Sequence, residues 1–132
     1  MKNLEDGLHK YLAAAGINGT MGVALGAWAA HGLEGRLAPA ALEWIRTGAS
    51  YQLWHAAALL GLAALTMRHS SRLIAAAGIG LGLGAFLFGG SLYLYAWTGQ
   101  GWLALVTPVG GALMIAGWLA TLAAAFRVTA RS

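Results

Sequence analysis

The chain has 132 residues and a formal net charge of +4; 59% of its residues are hydrophobic and 9% are charged, against about 25% charged residues in an ordinary soluble domain. This composition excludes a soluble globular domain, and a sequence without cysteine excludes a disulfide-stabilised scaffold. The sequence is therefore that of an integral membrane protein.

The gaps between charged residues locate the membrane-spanning segments. No Asp, Glu, Lys or Arg occurs in the 23 residues between Lys10 and Glu34, the 21 between Arg46 and Arg68, or the 54 between Arg72 and Arg127. About 20 helical residues cross a bilayer core, so the first two gaps each fit one crossing. A helix filling the third gap would be roughly 81 Å long, so this segment must fold back, and residues 98–101 are its turn.

We therefore predict four spans, at about residues 11–30, 49–67, 73–97 and 102–126. They are helices, because a lipid-exposed backbone must satisfy its own hydrogen bonds and the runs lack the alternation of barrel strands. Short connections make consecutive spans antiparallel neighbours. The predicted fold is an all-α integral membrane protein, a four-transmembrane-helix antiparallel up-down bundle that forms a single membrane domain over residues 1–132.

The segments outside the spans are a lead and one long loop. The first ten residues are expected to form a short amphipathic or frayed lead, and residues 31–48 form the long outer loop. Within that segment, Pro39 suits the first position of a helix, and the 29 residues from Pro39 to Met67 would form a helix of about 44 Å. Glu43 and Arg46 lie three residues apart and are expected to form an ion pair at the outer interface, beside Trp44.

The distribution of Lys and Arg predicts the orientation. Four spans put both termini on one face, which then has six basic residues, whereas the other face has only Arg36 and Arg46. Basic loops are retained in the cytoplasm, so both termini are expected there. The positive charge is explained by this retention and by anionic lipid. No cluster of Lys or Arg is dense enough to predict a nucleic-acid partner.

Glycine is frequent inside the spans. Small residues let helix backbones approach closely in lipid, so the glycines predict tight helix packing. The third span has six glycines from Gly78 to Gly90, and the fourth also includes Gly117. The positions most expected to pack helix against helix are Gly22, Gly26, Gly82, Gly84, Gly110 and Gly111.

Polar residues within the spans predict a layer near the outer face. Counted inward from the outer span ends at about 1.5 Å per residue, His55, Ser91 and Thr107 all lie roughly 8–9 Å deep. Buried polar side chains in membranes usually face the bundle interior. We therefore expect His55 to contact Ser91 or Thr107.

The mouth above this layer is expected to be polar and aromatic. Tyr51 and Gln52 lie one turn above His55 on the same helix face. His31 ends the first span and is expected near Tyr51 or Gln52. A thinner inner layer would contain Asn18 and Thr121.

Three roles for this polar layer remain open. The first is interhelical hydrogen bonding. The second is a haem or quinone contact through His31 and His55. The third is a path for protons or a small solute, with His55 titrating near neutral pH, although no Asp, Glu or Lys within the spans continues a relay. Residues 80–85, GLGLGA, match a degenerate dinucleotide-binding motif but lie within an apolar span and not between a strand and a soluble helix. No metal-ligand spacing is present, so the expectation is no bound cofactor.

Four sequence motifs, in order along nearly the whole chain, carry a resemblance. They are GAWAAHGL (26–33), YQLWH (51–55), FGGSLY (88–93), and TPVGG with GW (107–111 and 117–118). The chain resembles the bacterial membrane family called domain of unknown function 423, which is related to the eukaryotic small transmembrane protein 256 group. The resemblance implies a four-helix inner-membrane protein and no assigned activity.

The sequence thus favours a non-enzymatic structural, assembly or accessory component of the membrane, since it has no catalytic constellation. The alternatives are a small channel or transporter and a haem- or quinone-binding subunit. The lipid bilayer is the expected partner, with a homo-oligomer or other membrane subunits left open.

Overall fold

The computed structural model describes residues 2–129, with side chains for residues 5–127. Over this range it consists of four α-helices and contains no strand. The helices are α1 (Lys2–His31), α2 (Pro39–Thr66), α3 (Arg72–Thr98) and α4 (Leu103–Thr129). The predicted all-α class is confirmed.

Local sequence features set the helix ends where the sequence predicts turns. Pro39 begins α2, as expected for a residue with no amide hydrogen to leave unpaired. Ser71 precedes α3, and its Oγ accepts a 3.2 Å hydrogen bond from the amide of Ile74. Gly99 ends α3 with φ +64° and donates its amide hydrogen to the carbonyl of Tyr95. That left-handed conformation suits glycine, so the chain reverses there into α4.

The lead and most of the segment 31–48 are helical, and α2 begins at Pro39 as predicted. The lead is part of α1, which begins at Lys2, and a Cβ on Gly7 would lie 3.6 Å from the Thr66 side chain. Packing against α2 thus supports the first turns of α1, which propensity alone would leave frayed. Of the predicted loop 31–48, only residues 32–38 lie between helices.

The helices form a three-helix core with α4 attached to one side. α1 packs along α2, α2 along α3, and α3 along α4, and α1 also contacts α3. Over the described residues, α4 has no Cα atom within 8 Å of α1 or α2. The bundle therefore does not close into a four-sided ring, and α4 is held through α3 and side chains.

The antiparallel order sorts the chain into two ends. We call the end with the start of α1, the α2–α3 turn and the end of α4 the termini end, and the opposite one the loop end. Along α1 and α2, Gly7 lies against Thr66 at the termini end and Gly26 against Ala49 toward the loop end. The two helices therefore run side by side over nearly their whole length.

Among the described residues, three helical segments are long and apolar enough to cross a membrane: Glu5–His31, Arg72–Thr98 and Leu103–Arg127. The second predicted span, on α2, does not meet this criterion. Its sequence includes Gln52 and His55, both of which are buried inside the bundle. A helix packed between two others needs less apolar surface than one facing lipid on most sides.

Candidate functional site

The centre of the bundle contains a chain of hydrogen bonds that joins three helices. Gln52 on α2 donates from Nε2 to Oδ1 of Asn18 on α1 over 3.0 Å. Tyr93 on α3 donates from its hydroxyl to Oε1 of Gln52 over 2.6 Å. We call these three residues the amide triad. Asn18 is 1% exposed and Gln52 is fully buried, so each bond forms away from solvent.

The remaining polar atoms of the triad also have partners. Asn18 Nδ2 donates to the carbonyl of Ala14 at 3.0 Å and to that of Gly82 at 3.2 Å. Gln52 Nε2 also contacts the Met21 sulfur at 3.7 Å. Leaving a buried amide unpaired costs about 1–3 kcal/mol, so the complete pairing stabilises this arrangement of helices.

Two glycines make space for the triad. A Cβ on Gly89 would lie 2.8 Å from Cδ of Gln52, and a Cβ on Gly48 would lie 2.9 Å from the Tyr93 ring. The absence of side chains at these positions lets α2 and α3 approach closely enough for the short hydrogen bond. Gly89 belongs to the glycine-rich third span, whereas Gly48 precedes the predicted second span and was missed.

His55 joins α2 to α4 through Trp118. Its Nδ1 lies 2.7 Å from the carbonyl oxygen of Tyr51, and its Nε2 lies 3.2 Å from the indole Nε1 of Trp118. The two rings meet edge to face with their centroids 6.0 Å apart. The expected contact of His55 with Ser91 or Thr107 is replaced by this one.

The partners of His55 determine its tautomer. A carbonyl oxygen only accepts and an indole N–H only donates, so Nδ1 carries the hydrogen and Nε2 accepts. In this geometry the lone pair of Nε2 accepts the hydrogen bond from Trp118. A haem iron would have to displace Trp118 to bind Nε2. Within the described residues, no group of three or more His, Cys, Asp or Glu side chains could hold a metal ion.

Ser91 and Thr107 form a separate contact between α3 and α4. Their hydroxyl oxygens are 2.7 Å apart, and each also bonds to a carbonyl of its own helix, Ser91 to Phe88 and Thr107 to Leu103. The sequence placed these residues in one layer, and they do meet. Their side chains occupy the α3–α4 contact, away from His55.

The predicted mouth is only partly assembled. Tyr51 stacks on His55, with an interplanar angle of 9°, and lies 4.6 Å from the Phe88 ring. Gln52 points inward to the amide triad instead of toward the mouth. The His31 side chain is exposed and makes no hydrogen bond to any described residue. His31 therefore does not join the other predicted site residues.

Most of the glycines singled out from the sequence do lie between helices. A Cβ on Gly22 would lie 2.9 Å from Leu53, and one on Gly84 would lie 2.8 Å from the carbonyl of Gly110. A Cβ on Gly26 would lie 3.4 Å from Cβ of Ala49, and one on Gly82 would lie 3.3 Å from Cβ of Ala14. Gly111 differs, since its nearest neighbour would be Phe88 at 4.0 Å.

Two partners in the site were missed by sequence reasoning, Tyr93 and Trp118. Both were taken as aromatic or motif residues without a specific contact. Tyr93 lies four residues after Gly89 and eleven after Gly82, on the helix face whose glycines pack against α1 and α2. From that spacing, Tyr93 could have been predicted to face the bundle interior.

Comparisons with known proteins agree with a membrane protein without an assigned activity. Residues 25–111 match a family described as protein of unknown function (DUF423). A UPF0382 membrane protein of Haemophilus influenzae is 38% identical over 121 residues, covering 90% of this chain and 95% of that protein. The UPF0382 inner membrane protein YgdD of Escherichia coli K12 is 42% identical over 117 residues, covering 89% of each.

A third relative extends the range of organisms. The UPF0382 membrane protein YwdK of Bacillus subtilis is 35% identical over 118 residues, covering 89% of this chain and 96% of that protein. No solved structure matches the chain significantly.

Proposed function

This chain belongs to the DUF423 family of membrane proteins, and we propose that it is a non-enzymatic structural or accessory component of the bacterial cytoplasmic membrane. In this proposal the polar groups of the bundle hold helices together and do not conduct a solute. The observation that carries it is the complete pairing of the interior. Among the described residues, no buried side-chain nitrogen or oxygen is without a hydrogen-bond partner.

The pairing argues against a channel or transporter. A conduction path is lined by polar groups that face a water-filled space. Here the amide groups of Asn18 and Gln52 bond to each other, to Tyr93 and to the backbone. Neither amide group is therefore free to coordinate a passing ion in place of its water shell.

The helix contacts leave little room for a pore between α3 and α4. A Cβ on Gly80 would lie 2.7 Å from Cα of Gly117, and one on Gly110 would lie 2.5 Å from the amide nitrogen of Phe88. At the loop end, Trp28 packs on Trp97 with centroids 5.0 Å apart. These contacts support tight helix packing that leaves no pore between α3 and α4.

The same proposal includes four membrane spans, with both termini in the cytoplasm. α2 has 28 residues, a length of roughly 42 Å, and it lies antiparallel between α1 and α3. Its contacts with α1 extend from Thr66 to Ala49. A helix that runs beside a membrane-spanning helix over that length crosses the same thickness of bilayer.

The test is a flux measurement on the purified protein in liposomes. We expect the proton and potassium permeability of liposomes with the protein to equal that of empty liposomes, across pH 5–8. Addition of an ionophore serves as the positive control for each preparation. A flux that increases with protein content and falls in the Gln52→Leu or His55→Gln variant would refute the structural role and support a conducting path.

A further inference from the structure

A groove lies between α1 and α3 at the termini end of the bundle. It has a volume of about 460 Å³ and opens beside Lys10, Ser70 and Ser71. Deeper in, its walls are apolar and include Ala14, Ile79 and Leu83. We propose that this groove binds one anionic phospholipid, with its phosphate at the mouth and an acyl chain along the groove.

The dimensions of the groove fit an acyl chain from one leaflet. From Ser71, just before α3, to Leu83 the wall covers 13 residues, or roughly 18 Å along the helix axis. Half of a bilayer core of about 30 Å is roughly 15 Å. The groove therefore extends from the polar interface to about the middle of the membrane, as a lipid tail does.

The floor of the groove is built to be apolar. The Tyr11 ring lies against Gly78, in the space that a Cβ there would need. Its hydroxyl donates to the carbonyl of Ile74 over 3.2 Å, so the phenol is satisfied within the protein. The ring face that remains is a flat apolar surface, which an acyl chain can contact without leaving a polar atom unpaired.

Charge at the mouth favours an anionic headgroup. Lys10 is exposed and makes no ion pair among the described residues, although Asp6 lies one turn away on the same rim. Ser70 and Ser71 supply hydroxyl donors at the start of α3. α1 and α3 are parallel, so the positive ends of both helix dipoles also lie at this end.

The charged residues that line the groove are Asp6 and Lys10, and three further charged residues lie close to the lining residues in sequence. Glu5 and Asp6 on α1 are acidic, whereas the α2–α3 turn contributes Arg68 and Arg72. Together with Lys10 the described charges sum to +1. A headgroup with a net negative charge is therefore favoured over a zwitterionic or neutral one. The lipid site is independent of the proposed orientation, since the mouth meets a leaflet on either side of the membrane.

The experiment measures lipid retained by the intact protein in native mass spectrometry, from micelles with equal amounts of phosphatidylglycerol and phosphatidylcholine of identical chains. We expect one retained phosphatidylglycerol, and about a fivefold lower retention in Lys10→Gln, the effect of one basic residue near a lipid phosphate. Arg127→Gln, which removes a charge from the same end outside the groove, should retain lipid as the wild type does.

A second pair of variants tests the groove itself. Ala75→Phe places a ring in the groove wall and should reduce retention, whereas Ala76→Phe, the next exposed residue, lies outside the lining and should not. Ile79→Trp provides a second blocking variant if Ala75→Phe does not fold. Inorganic phosphate at millimolar concentration should not displace the lipid.

Any one of four results would overturn the proposal. The first is equal retention of the two lipids, the second is equal retention by Ala75→Phe and Ala76→Phe, and the third is displacement of the lipid by inorganic phosphate. If the blocking variants convert a dimer to a monomer without loss of lipid, a second copy of the chain occupies the groove and the lipid assignment is wrong.

Discussion

The hydroxyl of Tyr93 lies 2.6 Å from Oε1 of Gln52, a side chain with no exposed surface. This bond connects α3 to α2, and the other end of the Gln52 amide connects α2 to α1 through Asn18. In lipid, apolar burial contributes little to helix association. The hydrogen bonds of the amide triad therefore stabilise this arrangement of three helices relative to other packings of similar apolar helices.

The first prediction follows from that bond. Tyr93→Phe keeps the ring but leaves Oε1 of Gln52 buried without a donor, so we expect a loss of about 1–2 kcal/mol in unfolding free energy. Tyr95→Phe is the matched control, because the Tyr95 ring stacks on Trp44 and its hydroxyl makes no hydrogen bond to a described residue. Equal unfolding of the two variants in mixed micelles would show that the triad contributes nothing.

The second prediction concerns the tautomer of His55. Its two partners require a hydrogen on Nδ1 and a lone pair on Nε2. Nitrogen NMR of the histidine-labelled protein in micelles should therefore show one His55 ring nitrogen of each kind, with the hydrogen on Nδ1. In Trp118→Phe the Nε2 loses its donor, and the signal should broaden or shift. Detection of an Nε2–H tautomer at His55 in the wild type would contradict the structure.

Trp54→Phe controls for the loss of an indole. Trp54 is 65% exposed and lies one residue before His55, and its nitrogen has no hydrogen-bond partner among the described residues. Its replacement should leave the His55 spectrum unchanged. A similar change in both variants would assign the effect to general loss of packing.

The helices and their ends could be predicted from the sequence, because local features determine them. Charge gaps and turn residues predicted four helices and both tight turns, because the bilayer thickness and glycine at a positive φ act locally. The expected pair of Glu43 and Arg46 is confirmed at 2.6 Å. These features need no knowledge of how one helix is rotated relative to another.

The contacts of the polar residues could not be predicted, because they depend on the rotation of each helix about its axis and on the register between neighbouring helices. The second span was taken to begin at Ala49 because Arg46 is charged, yet Gly26 lies against Ala49, five residues before the end of α1. Gln52 is thus deeper than its predicted depth, level with Asn18. Ser91 faces α4 and Tyr93 faces α2, although they are two residues apart, which depth alone does not distinguish.

The third prediction concerns glycine packing. Gly84→Leu should destabilise the bundle by about 1–3 kcal/mol or more, because a Cβ there would lie 2.8 Å from the carbonyl oxygen of Gly110. Gly90→Leu is the control on the same helix, since nothing lies within 4 Å of its Cβ position. Thermal unfolding in detergent should separate the two variants. If both unfold with the wild-type midpoint, close backbone approach of α3 and α4 does not stabilise the fold.

The last prediction addresses orientation and the crossing of α2 together. Reporter fusions after Ser132 and within the turn at Ser70 should both report the cytoplasm, because basic residues flank that end of the bundle. Fusions within residues 32–38 and at Gln100 should report the opposite compartment, and paired cytoplasmic and periplasmic reporters at each site provide the internal control. The Ser70 fusion is decisive for α2, since that turn lies across the membrane from residues 32–38 only if α2 spans the bilayer. A Ser70 fusion on the same side as residues 32–38 would refute the crossing, and a periplasmic signal after Ser132 would refute the orientation.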